Sequence, residues 1–150
     1  NYQSLSRPEP RWCWIEPHAI RFIGFRRHAR AFCLTDNRFK DFLLSRVVEA
    51  RGTNLSEVGS DADTDWNEQV TADIEPHLEL SETQQKVIAL DYEMKGGTAN
   101  FIIQKAFLYY AFKRLGLDTG PTTRRPQERQ IGLLSSTDLA GKSFHKGGGS

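Results

Sequence analysis

The sequence is poor in residues that form cross-links and in long apolar segments. It contains two cysteines, Cys13 and Cys33, and one methionine among 150 residues. The two thiols match no zinc-binding pattern, so we expect them to be reduced and buried in a cytoplasmic protein, with a disulfide between neighbouring strands as the alternative. No apolar run is long enough to cross a bilayer, and no membrane segment is predicted.

Sequence motifs of enzyme chemistry are also missing. There is no glycine-rich phosphate-binding loop, no His-x-x-x-His pair and no Gly-x-Ser-x-Gly motif, and the four histidines are widely spaced. Asp61, Asp63 and Asp65 alternate as at the start of a calcium loop, but the glycine and glutamate that such a loop needs are missing. We predict that the protein is not an enzyme and that it holds neither a metal nor a cofactor.

The charge is unevenly distributed along the chain. Residues 1–51 carry ten basic and five acidic residues, residues 52–100 carry two and eleven, and residues 101–150 carry eight and three. A basic first third, an acidic middle and a basic end indicate separate modules with different partners. The first residue is asparagine rather than methionine, so we expect the chain to begin inside a longer gene product.

The first fifty residues have the pattern of a small β structure. Strands are predicted at residues 19–22, 26–34 and 39–50, separated by a turn at Ile23–Gly24 and by the polar turn Thr35–Arg38. In the second strand, small apolar residues alternate with basic and aromatic ones. Three short strands joined by tight turns predict a small, strongly bent sheet or barrel.

Four parts are predicted along the chain. Residues 1–52 form the β-barrel, 53–65 an acidic, solvated linker, 66–118 a small α/β extension, and 119–150 a mostly extended tail with an apolar segment at 131–134. In the extension, Ser81 and Gln84 have capping-box spacing at the start of a helix whose apolar face includes Val87 and Leu90. A second helix is predicted to end at Gly116.

The predicted second strand presents a basic face. His28 and Arg30 share it, and Arg46 is contributed by the strand that follows. A guanidinium offers a planar pair of donors that suits phosphate or carboxylate, and nearby aromatic rings suit a base or a sugar. The alternative is a solvated basic rim without a ligand.

The same residues carry a family resemblance. The segments YQSLSRPEPRW, IEPHAI and GFRRHARAFCLTDNRFKDFLLSRV resemble the WYL domain, and they are most similar to the branch found in transcriptional regulators of phage-defence operons. The family pattern Phe-x-x-Phe-x-Leu-x-Arg-Val occurs at residues 39–47. The triplet that names the domain would fall on residues 27–29, where arginine stands in place of the usual tryptophan. Residues 73–118 resemble the C-terminal extension that follows such domains and helps them to dimerise.

The resemblance implies a fold and a site. The fold is an Sm-like, SH3-type β-barrel followed by a small α/β extension, acting as a sensor behind an N-terminal winged helix that binds operator DNA as a homodimer. The family's pocket, carried over by position, consists of Tyr2, Ser4, His28, Arg30 and Arg46, with Lys40 and Gln3 as weaker members. We therefore predict a ligand-sensing and dimerisation fragment of a transcriptional regulator, of the repressor type, that binds a nucleotide-like or nucleic-acid ligand. The alternative is a stand-alone Sm-like RNA-binding module.

Overall fold

The computed structural model describes residues 1–119 and 124–138. The chain divides into two compact units, one ending at Asp63 and the other beginning at Thr64. The first unit therefore includes most of the segment predicted as a linker. Much of the last segment, predicted as a tail, lies outside the described residues.

The first unit is built on one antiparallel sheet of three strands. These are β1 (Ile15–Ile23), β2 (Arg26–Cys33) and β3 (Arg38–Leu43), in the order β1-β2-β3. The turn between β1 and β2 contains Gly24 and Phe25, both with positive φ, one residue later than predicted. Small side chains of β2 pack with Phe42 in the core beneath the sheet, and Ala31 and Cys33 are almost fully buried.

The third strand is shorter than predicted. It ends at Leu43, and Leu44–Arg46 form a 3₁₀ turn instead of continuing to residue 50. Val47 then forms a bridge with Tyr2, and the amide of Val48 donates to the carbonyl of Asn1. The β-branched residues after the turn thus pair with the N-terminal segment and not with β2, which accounts for the error. No closed barrel is found among the described strands, so the Sm-like barrel stays a prediction.

The second unit is built on another antiparallel sheet of three strands. Its strands are β4 (Gln69–Pro76), β5 (Ala99–Gln104) and β6 (Ile131–Asp138), in the order β5-β4-β6. Every second residue of β4 is buried, as expected for a strand with one face on the core. The apolar segment of the predicted tail becomes β6, whose Ile131 is fully buried, so residues on both sides of position 118 form one sheet.

Helices surround this second sheet. They are α1 (Thr64–Asn67), α2 (Glu82–Asp91), α3 (Leu108–Leu115) and α4 (Pro126–Arg129), with a 3₁₀ turn at Lys105–Phe107. The first unit has a further 3₁₀ turn at Ser60–Ala62, just before its end. Gly116 ends α3 with a left-handed φ of 71°, which confirms the predicted stop. The core of the unit forms around Ile74, Leu80, Ile88, Leu117 and Ile131.

The capping box of α2 is confirmed, but its predicted apolar face is only partly correct. The Ser81 side chain accepts from the amide of Gln84, and the Gln84 side chain accepts from the amide of Ser81. Ile88 is the buried residue of the helix, whereas Val87 and Leu90 are exposed. Helical spacing alone does not show which part of a mixed face meets the core.

We expect Ser81→Ala to lower the free energy of unfolding of the second unit by about 1 kcal/mol, since the variant leaves the amide of Gln84 without its side-chain acceptor. Urea unfolding followed by circular dichroism measures this loss. Thr83→Ala is the matched control, because it removes a hydroxyl from the same exposed turn but not from the cap. Equal midpoints for wild type and Ser81→Ala would contradict the capping assignment.

Candidate functional site

The predicted basic face of β2 exists, but it is covered. Pairing of β2 with β3 places Arg30 opposite Asp41, His28 opposite Leu43 and Phe32 opposite Phe39. Phe32 and Phe39 meet edge to face at 5.2 Å. Arg30 is only 7% exposed, and His28 is likewise buried, so these side chains do not form a solvated rim. We call this surface, formed by those six residues, the arginine face.

Arg30 is held by two carboxylates of the first unit. Its Nε and one terminal nitrogen donate to the two carboxylate oxygens of Asp63, at 2.7 and 2.9 Å. Its other terminal nitrogen lies 3.5 Å from Asp41. Asp63 is 1% exposed, so both partners of the bidentate pair are out of water. Such a pair is favourable only when its geometry is good, because both charges lose their hydration.

His18 also contacts Asp63. Its Nε2 donates to the same Asp63 oxygen that accepts from Arg30 Nε, at 3.0 Å, and its ring packs edge to face on Phe39 at 5.6 Å. Strand β1 therefore adds a further polar side chain beside the arginine face. The Asp63 carboxylate accepts these hydrogen bonds from Arg30 and His18 in a largely dry setting, which is the environment that an anion-binding site provides.

His28 and Arg46 lie within electrostatic range of each other. Burial lowers the pKa of His28, and the positive charges of Arg26 and Arg46 lower it further, while the nearby Asp41 carboxylate opposes them. His28 is therefore neutral at pH 7, because its pKa lies below the ordinary histidine value. Arg46 sits in the 3₁₀ turn, half-buried, and no hydrogen bond or ion pair of its guanidinium is found within the described residues.

The N-terminal members of the predicted pocket have local partners. The Tyr2 hydroxyl accepts from the amide of Leu43, and its ring meets Phe42 edge to face at 5.1 Å. Gln3 donates to the carbonyls of Ser4 and Arg7. The Ser4 hydroxyl bonds that of Ser6 at 2.7 Å. These contacts stabilise the N-terminal segment.

Lys40 lies on the other side of the sheet from Arg30. It is paired with Ala31, and alternation along β3 directs its side chain away from Asp41. Its ammonium contacts Asp36 at 2.6 Å, and Arg11 contacts the same carboxylate at 2.8 Å. Hydrogen bonds from Lys40 and then from Arg11 lower the pKa of Asp36.

Sequence reasoning missed three residues of this site, namely His18, Asp41 and Asp63. Asp63 was predicted to lie in a solvated spacer, and that prediction is wrong because its carboxylate is buried against Arg30. Asp41 lies in the predicted third strand, next to Phe42, so it was a candidate neighbour of β2. Its pairing with Arg30 depends on the register between β2 and β3, which no spacing in the sequence shows. His18 gave no signal, since β1 begins four residues earlier than predicted and contains a bulge there.

We also searched the described residues for metal sites, disulfides, membrane-spanning helices and cavities. Among residues 1–119 and 124–138, no group of three acidic, histidine or cysteine residues could hold a metal ion. Cys13 and Cys33 are free thiols. In the same part of the chain, no helix has both the length and the apolarity needed to span a bilayer. The second unit has an apolar cavity of about 230 Å³ beside α2, lined in part by Leu80, Val87 and Ile88.

Comparisons with known proteins point to gene regulation. Residues 69–139 match the family model of the BrxR transcriptional regulator, C-terminal dimerization domain. The chain is 34% identical over 139 residues to the DNA-binding transcriptional repressor CapW of Stenotrophomonas maltophilia. It is 32% identical over 138 residues to CapW of Pseudomonas aeruginosa, and 30% identical over 138 residues to CapW of Escherichia coli.

These alignments cover 92% of this chain and 46% of each relative. The chain thus spans about half the length of the curated relatives it matches. All of the matched proteins are transcriptional regulators, which confirms the prediction that this chain is not an enzyme. The matches support a transcriptional regulator that includes a dimerization domain.

We expect Asp36→Asn to destabilise the first unit at pH 7 by removing the shared partner of Lys40 and Arg11. The folded-state pKa of Asp36 is lowered, so its stabilising contribution is complete above the ordinary aspartate pKa of about 3.9 and is lost as the pH falls below it. Urea midpoints of wild type and variant should therefore converge in acid.

The exposed Asp91→Asn serves as the control for loss of a carboxylate, and its midpoint should follow that of wild type throughout. A difference between Asp36→Asn and wild type that stays constant down to low pH would show that the charge of Asp36 does not stabilise the fold.

Proposed function

We propose that this chain is the ligand-sensing and dimerisation part of a DNA-binding transcriptional repressor that controls a phage-defence operon. Its similarity to CapW repressors over 92% of its length supports the regulatory role. The dimerization-domain match at residues 69–139 supports association of two copies through the second unit. Operator DNA would be bound by a winged helix, in a part of the full protein that corresponds to the region of the relatives outside the alignment. The setting would be the cytoplasm.

In this proposal, the first unit is a WYL-type sensor. The arginine face is the feature that carries the proposal, because His28 and Arg30 of β2 lie near Arg46 of the following 3₁₀ turn. Burial is the main cause of the lowered pKa of His28, and the positive charges of Arg26 and Arg46 lower it further against the opposing Asp41 carboxylate. A concentrated positive potential beside aromatic rings suits a ligand with phosphate groups and bases. The ligand would be nucleotide-like or a single-stranded nucleic acid.

The members of the site are not equivalent. Arg46 and His28 are the residues that we propose to contact the ligand directly. Arg30 already binds Asp63 and Asp41, so a ligand would have to compete with a carboxylate for it. Lys40 is not included, because its ammonium contacts Asp36 on the other side of the sheet. Tyr2, Gln3 and Ser4 would support the N-terminal segment.

Regulation requires that the ligand bind two states of the dimer with different affinities. The ligand would favour one state, and operator affinity would change by the same coupling factor in both directions. A sensor of this kind needs no catalytic group. It needs a binding site whose occupancy changes a structural element that the second unit can detect.

We expect Arg46→Ala to weaken binding of a fluorescein-labelled oligothymidylate of about twelve nucleotides, a length within the range of single-strand binding sites. Loss of one phosphate contact should lower the slope of log affinity against log salt by about 1, measured by fluorescence anisotropy at several salt concentrations. Arg38→Ala, an exposed change at the far end of β3, is the control of equal charge. Identical curves for Arg46→Ala and Arg38→Ala would remove Arg46 from the site.

We expect the chain to sediment at twice its monomer mass of 17.1 kDa. The match of residues 69–139 to a dimerization domain is the reason for this expectation. Analytical ultracentrifugation over a range of concentrations measures the association. A single species of monomer mass at micromolar concentration would contradict dimerisation through this part of the protein.

A further inference from the structure

We infer that the Asp63 carboxylate occupies the anion position of the arginine face, and that a phosphate-bearing ligand binds Arg30 and His18 by displacing it. This inference rests on the proposed function, since it assigns the regulation of the same site. Displacement would release the segment of residues 52–63, which leads into the second unit at Thr64. Asp63 thereby becomes an internal competitor of the ligand.

The contacts of Asp63 are those that a phosphate group would make. Arg30 presents two parallel donors to the two Asp63 oxygens, and His18 adds a third. Carboxylate and phosphate both accept the planar pair of donors of a guanidinium. The position is therefore chemically suited to either anion, and the one that occupies it belongs to the chain itself.

The segment that carries Asp63 has little other burial. Residues 52–62 are exposed except for Val58, which is half-buried, whereas Asp63 is 1% exposed. Large apolar anchors are missing from this stretch, and its Leu55 is 89% exposed. Attachment of the segment to the sheet therefore depends on polar contacts, which another anion is able to replace.

A second carboxylate holds the same segment from the sheet side. Glu16 of β1 accepts from the Ser56 hydroxyl and from the amides of Glu57 and Val58, at 2.7 to 2.9 Å. This contact is at the surface, where exchange with water is easy. The Arg30–Asp63 pair is buried, so water does not replace it easily. Whether the segment stays bound therefore depends on whether a ligand phosphate replaces Asp63 at Arg30.

Displacement is energetically reasonable because it exchanges one anion for another. Removing one partner of a buried ion pair is strongly destabilising, since the remaining charge is left unpaired. A phosphate that enters as Asp63 leaves keeps Arg30 paired, and Asp63 regains its hydration outside. The cost of opening the segment lowers the apparent ligand affinity, which is how a sensor sets its threshold.

The test uses the full 150-residue chain and the same labelled oligothymidylate. Asp63→Asn keeps the size of the side chain but removes the competing charge, and we expect at least about tenfold tighter binding at fixed salt. Asp61→Asn is the control, because it removes the same charge from the neighbouring 3₁₀ turn, and we expect less than about a twofold change because Asp61 is exposed and its charge is screened by salt. Combining Asp63→Asn with Arg30→Gln should abolish the gain.

Hydrogen exchange on the unmodified chain gives an independent readout. The amides of Glu57, Val58, Ala62 and Asp63 are hydrogen-bonded, so they exchange slowly while the segment is in place. Saturating oligothymidylate should speed their exchange while the amides of β2 stay protected. This measurement does not depend on whether the Asp63→Asn variant folds.

The outcomes separate the inference from the proposed function. If wild type binds the probe in an Arg46-dependent way but Asp63→Asn binds no better and the segment stays protected, the competitor role of Asp63 is wrong and the sensor site stands. If neither wild type nor Asp63→Asn binds the probe, the proposed phosphate site itself is wrong. Tighter binding by Asp63→Asn together with faster exchange in the segment supports both.

Discussion

The buried ion pair between Arg30 and Asp63 is the interaction on which the first unit depends. Strand β2 is covered on both faces, so its central arginine cannot reach water and must find a carboxylate inside the fold. Asp41 of the next strand lies 3.5 Å away, and Asp63 supplies the bidentate contact. Leaving such a guanidinium without its partner costs about 3–5 kcal/mol, so the chain beyond β3 must return to the sheet.

Because the buried Arg30 needs a carboxylate partner, the site around the basic strand β2 contains acidic as well as basic side chains. The arginine face combines His28, Arg30 and nearby Arg46 with the protein's own carboxylates. Its net potential therefore depends on whether Asp63 is in place. A regulator whose anion site contains an exchangeable internal anion has two defined arrangements, and a ligand that prefers one of them shifts the population.

Local sequence signals predicted the local structure well. Alternation in β2 gave its two faces, because side chains of a strand point to opposite sides, and the Ser81–Gln84 spacing gave the start of α2. Long-range partners were not predictable in this way. The pairing of Arg30 with Asp63 spans 33 residues, and the addition of β6 beside β4 spans even more. Both contacts depend on tertiary packing, and contacts between distant residues leave no regular spacing in a single sequence.

The most direct test of this account is a crystal structure of the chain with a bound oligothymidylate. The account predicts a phosphate oxygen within hydrogen-bonding distance of Arg30 and His18, at the place where the Asp63 carboxylate now lies. Asp63 would be found in solvent, and residues 52–63 would follow a new path. An oligonucleotide bound elsewhere, with Asp63 still paired to Arg30, would contradict it.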